Sequence, residues 1–125
     1  MAKGIVVRSD RTFEDIDFAD IEHLQDAVGG YIQVVKLQFR AKHWPYVIGG
    51  TMFLDEDGRL KNLPINIVAS GVSLAGGSIS QVVGTAVFAG IANRHGEYTN
   101  ISEEIGELIE KLSTEYEEID HDLSS

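Results

Sequence analysis

A chain of 125 residues suits a single domain, and 43% hydrophobic with 24% charged residues is the balance of a folding globular sequence rather than a disordered one. The absence of cysteine excludes disulfides, thiol nucleophiles and thiolate metal sites, and no apolar run approaches the roughly 20 residues of a membrane span. A net charge of −10 disfavours nucleic acid as a partner, no cofactor is called for, and a reducing cytosol is the expected location.

Residues 4–8 (Gly4-Ile5-Val6-Val7-Arg8) read as a short strand, and Ser9-Asp10-Arg11 as the turn into a hairpin partner over residues 12–18. From Asp17 the period changes: Phe18, Ile21, Leu24 and Val28 recur at three or four, predicting an amphipathic helix that Gly29-Gly30 terminates with a left-handed residue. Residues 31–39 read as a strand, with period-two alternation from Val35 onward. Strand character resumes over residues 46–54, with a bulge or bend expected at Gly49-Gly50. Asp55-Glu56-Asp57-Gly58 predicts a tight turn with Gly58 at positive φ, after which residues 59–61 continue a hairpin.

Pro64 stands near the start of a short helix over residues 65–74, followed by a flexible Ala75-Gly76-Gly77-Ser78. Residues 81–91 read as a strand buried on both faces. The last predicted element is a helix whose apolar stripe is Ile101, Ile105, Leu108, Ile109, Leu112, Tyr116 and Ile119, with Asn100 and Glu103 at capping-box spacing. The expected architecture is α+β: a small, mainly antiparallel sheet with one or two helices packed on it and a C-terminal amphipathic helix. Residues 1–100 form the core and residues 101–125 an acidic helix and tail of the same domain.

Four segments resemble a family of small proteins of unknown function from bacteriophages and bacterial mobile elements. They are residues 24–35, with the helix-ending Gly29-Gly30; residues 53–66, with the turn and Leu63-Pro64-Ile65-Asn66; residues 83–90; and Glu97-Tyr98-Thr99. The resemblance implies an α+β fold and a phage or mobile-element origin. It brings no active site. Residues 40–45 and the acidic tail depart from the pattern.

No catalytic constellation is legible. His23, His43, His95 and His121 fall in separate elements without metal-ligand spacing, and Asp55-x-Asp57-Gly58 lacks the further ligands of a calcium loop. Ser70, Ser73, Ser78 and Ser80 lack a nucleophile elbow, and the glycines near them lack the Lys-Ser/Thr ending of a phosphate-binding loop.

Arg40, Lys42, His43, Trp44 and Tyr46 interleave cations with aromatics, a combination that grips a phosphate while stacking a base, or that contacts a protein. Arg94 joins that candidate binding site if the fold brings its loop alongside; the bland alternative is a soluble loop with Trp44 capping the core. Residues 101–125 carry nine acids against one base, Lys111. That helix reads as a solvated outer face, as a phosphate mimic or bait for a basic protein, or as a dimer contact.

The charge layout and the resemblance together predict a non-enzymatic accessory protein that binds a host or defence protein. The alternative is a sponge that sequesters a small nucleotide. A homo-oligomer, most simply a dimer through the C-terminal stripe, is expected.

Overall fold

A computed structural model of the chain describes residues 1–40, 47–79 and 81–124, with side chains described as far as Tyr116. Five strands form one antiparallel sheet: β1 (Ala2–Val7), β2 (Phe13–Phe18), β3 (Ile32–Phe39), β4 (Ile48–Asp55) and β5 (Ala86–Ala89), in the order β2-β1-β5-β4-β3. The fold is α+β, as the sequence predicts. Two hairpins, β1–β2 and β3–β4, are joined by the last and shortest strand, which enters between them. All four residues of β5 are buried, so it is the centre of the sheet.

Strand alternation divides the core into two layers. Ile5, Val7, Met52, Leu54, Ala86 and Phe88 point to one face, where they meet Val68, Ala69 and Val72 of α2 (Ile67–Ala75) and Ile105 and Ile109 of α3 (Glu103–Ser124). On the opposite face Ala2, Val6, Phe18, Phe53 and Val87 meet Leu24 and Val28 of α1 (Ile21–Val28). With eight residues, α1 is only about 12 Å long at 1.5 Å per residue. It covers part of its face. That shortfall creates the surface considered below.

Local chemistry sets the ends of the elements. The first turn closes with Arg11 at φ 74°, while Asp10 Oδ1 accepts the Thr12 N–H at 3.0 Å. Phe18 lies in β2 rather than in the helix that its spacing suggests, because Asp20 is the N-cap and accepts from the His23 N–H at 3.0 Å. Gly29 ends α1 at φ 90°, its N–H bonded to Gln25 O.

Four expectations need correction. No bulge interrupts Gly49-Gly50, since the β3–β4 register runs unbroken from Ile32↔Asp55 to Phe39↔Ile48. The glycines instead make room for neighbours on opposite faces. A Cβ at Gly49 would lie 2.6 Å from Ile91 Cγ2, and one at Gly50 would lie 2.8 Å from Ile105 Cδ1.

The hairpin predicted beyond Asp55 is a coil of turns. Asn62, not Gly58, takes the positive φ there, at 56°. The strand predicted over residues 81–91 contracts to Ala86–Ala89, because Gly84 turns the chain at φ 75° and Val83 makes only an isolated bridge to Ile65. Finally, Ser102 caps α3, receiving the Ile105 N–H on Oγ at 3.3 Å, whereas Asn100 Oδ1 accepts the Lys3 N–H at 2.9 Å.

As far as Tyr116 the apolar stripe of α3 is not left open for a second chain; the Ile119 side chain lies outside the described residues. Ile105 and Ile109 are buried, and Ile101, Leu108, Leu112 and Tyr116 pack against the same core, so the chain's own sheet and α2 cover this row. The argument for a dimer through that stripe is thereby removed for residues 101–116. No helix among the described residues is long and apolar enough to cross a membrane.

Candidate functional site

Beyond the reach of α1, the sheet face formed by β3 and the start of β4 lies open. Val34, Lys36 and Gln38 alternate outward along β3 and are exposed, Val34 to 42%. Gly49 and Thr51 continue the same face on β4, opposite Gln38 and Lys36.

A second wall comes from the segment between β5 and α3, which doubles back as a small hairpin. Ala92 bridges Tyr98, the Asn93 N–H donates to Glu97 O at 2.7 Å, and the Thr99 N–H donates to Ile91 O at 2.9 Å. Thr51 Oγ anchors this arm by donating to Gly90 O at 2.9 Å. Tyr98 seats it further, its ring edge-on to Phe53 with centroids 4.9 Å apart.

Between arm and sheet lies a cleft of about 270 Å³. Its chemistry is mixed. Val34 and Ile91 supply apolar walls, Lys36 a cation, and Gln38 an amide that both donates and accepts. Thr51 is buried with its proton committed to Gly90 O, leaving an acceptor lone pair and no activated nucleophile. Among the described residues no three His, Asp or Glu side chains cluster to hold a metal ion. The cleft thus offers a cation, an amide and apolar contacts along one face of the sheet.

The residues predicted to bind are placed as follows. Arg40 is exposed just past β3 and lines a separate shallow groove with Lys36, Gln38 and residues 74–77. Arg94 is exposed at the tip of the arm, between Asn93 and Gly96, and does not line the cleft. Lys42, His43, Trp44 and Tyr46 lie outside the described residues. Sequence reasoning missed Lys36, Gln38, Thr51, Ile91 and Tyr98. The only signal was polar alternation along β3, which any half-covered strand shows.

Of the segments that carry the family resemblance, two supply cleft residues, Val34 and Tyr98, while residues 53–66 supply scaffold. Asn66, fully buried, accepts the Ala69 N–H at 3.0 Å as the N-cap of α2 and donates to Val7 O at 2.9 Å and Gly84 O at 2.8 Å. It ties α2, β1 and the β5 approach together. Asp55, 3% exposed, accepts from Lys61 Nζ at 2.7 Å and from the Asp57 N–H at 2.8 Å. The cation it holds is part of the chain.

The structure defines the chain as a small α+β domain whose single antiparallel sheet is half open on one face. The chain is a member of the family DUF3846, a domain of unknown function, which it matches over residues 2–116. No curated protein and no solved structure matches it.

Proposed function

We propose that the chain is a non-enzymatic accessory protein, of phage or mobile-element origin, whose open sheet face receives an extended segment of a host or defence protein. The observation that carries this reading is the cleft between the residue 90–99 arm and β3. There a cation, an amide and exposed apolar side chains line one face of the sheet. An extended segment laid across this face is held by apolar contact with Val34 and Ile91 and by hydrogen bonds to Lys36 and Gln38, which leaves the outer edge of β3 free. Lys36 favours a segment that carries a carboxylate among apolar residues.

The cleft itself offers little to a nucleotide. At about 270 Å³ the cleft falls below the roughly 300–1,000 Å³ of pockets that engulf small ligands, and a single cation lines it.

A photo-crosslinking residue at position 91 or 36 tests the reading in bacterial lysate, with position 14 on the far edge as control. One discrete protein adduct at 91 and 36, absent at 14, with the adduct at 91 abolished by Lys36→Glu in a variant of unchanged melting temperature, supports it. The reading fails if nucleotides alone raise the melting temperature, or if adducts form equally at all three positions.

A further inference from the structure

The two outer edges of the sheet are built differently. On β2 the backbone groups of Phe13, Asp15 and Asp17 face away from β1, since Arg8 and Thr12 form a hydrogen-bonded pair and bonded pairs alternate from there. That edge carries Glu14, Asp15 and Asp17, the charge that natural proteins place on strands they keep unpaired.

On β3 the outward groups are those of Ile32, Val34 and Lys36. Two bonds establish this. The Glu56 N–H donates to Tyr31 O at 2.8 Å, so the odd-numbered residues bond to the β4 side, and the Gln38 N–H donates outward to Gly76 O at 3.0 Å. Gly76 thus ends, at one side, the stretch of this edge that bonds to no other described residue. At its middle stands Val34, exposed and uncharged.

The ends of this free stretch are complementary to one another. At the Tyr31 end lie the exposed Asp26 and the half-buried Asp57, with Lys61 beside them already paired to Asp55 and bonded to the Gly29 carbonyl that ends α1. At the other end lie Lys36 and Arg40. Exposed large apolar side chains also mark the two ends: Tyr31, 72% exposed, at the first, and Leu74, 61% exposed, at the second. An edge whose opposite ends complement each other suits antiparallel pairing with itself, because a two-fold axis lays each end against the other's counterpart.

We propose that two copies of the chain pair through their β3 edges, antiparallel and centred on Val34, to form one continuous sheet across a two-fold axis. Val34 then faces Val34 of the second copy and exchanges both backbone bonds with it, and Lys36 faces Ile32 in the same way. The basic end of each edge meets the acidic end of the other, and Tyr31 approaches Leu74. This surface is distinct from the C-terminal stripe, and it stands whatever the cleft binds. It also sets the two clefts on the same face of the joined sheet, since Val34 lines each of them.

Amide hydrogen exchange and sedimentation on the intact wild-type chain test the proposal. The expected result is a dimer, with the Val34 and Lys36 amides protected at high protein concentration and at least tenfold faster to exchange on dilution into the monomer. Because the chain lacks cysteine, Val34→Cys gives a single thiol, and a short bismaleimide should join two copies there but not through Asp15→Cys on β2. A monomer at all concentrations overturns the proposal. So does a dimer whose Val34 and Lys36 amides exchange freely, or one that cross-links through position 15.

Discussion

Lys61 closes over the buried carboxylate of Asp55, its Nζ 2.7 Å from Oδ2 and 3.3 Å from the Gly29 carbonyl that ends α1. Burial pushes this carboxyl's pKa up, but the Lys61 hydrogen bond, the Asp57 N–H and the Lys61 charge together outweigh it and hold the pKa below the ordinary value. A depressed folded-state pKa contributes stability that is fully present above the unfolded value, about 3.9, and is lost as pH falls through the folded value. Asp55→Asn should therefore lower stability at pH 7 by about 1–3 kcal/mol. It should also flatten the acid limb below pH 4. Urea melts of both proteins at pH 7 and pH 3 check this, and parallel losses at the two pH values would rule it out.

The adjacent glycines should fail for different reasons when substituted. Gly29 has φ 90° with no atom within 4 Å of a would-be Cβ, so Gly29→Ala meets only backbone strain, about 1–2 kcal/mol, at any pH. A Cβ at Gly30 would lie 2.7 Å from Lys61 Nζ and 2.8 Å from Asp55 Oδ2. Gly30→Ala thus opens the ion pair, and its cost should shrink once Asp55 is protonated. Measuring both variants at pH 7 and pH 3 separates strain from steric displacement.

The strands and helices were legible wherever one residue type dominates local conformation. The β-branched run of β1, the alternation of β3 from Val35 onward and the stop at Gly29 all depend on neighbours a few positions away. Misreadings arose where distant atoms decide. Gly49 and Gly50 look like a break until Ile91 and Ile105 are seen packing above and below them. Asn100 looks like a helix cap until Lys3, 97 residues away, takes its side chain. The cleft was illegible for the same reason. Its walls come from β3, β4 and the residue 90–99 arm, which become neighbours only because β5 enters beside β4.

Asn66 should be the least replaceable polar residue. Asn66→Ala removes the α2 cap, worth about 1 kcal/mol, and leaves the carbonyls of Val7 and Gly84 without the Nδ2 donor they share, at about 1–3 kcal/mol for each buried group. Asn66→Asp keeps the cap but loses both donations and places a carboxylate where no cation is bonded to it. Both variants should melt far below wild type, with Asp the worse at neutral pH. Equal stability of Asn66→Asp and wild type at pH 7 would show that these donations carry little weight.

The C-terminal helix offers the sharpest separation between folding and assembly. Ile109 is fully buried against the sheet and α2, so Ile109→Ala should cost about 2–5 kcal/mol through lost contacts and the cavity left behind. Deleting residues 101–125 removes Ile105 and Ile109 together from the core they share with the sheet and α2, so the shortened chain should not fold. Neither residue lies on the β3 edge. Ile109→Ala, studied at a temperature where it stays folded, should therefore sediment as wild type does. If wild type is a dimer and Ile109→Ala a folded monomer, α3 carries the contact between copies and the covered stripe has a second role.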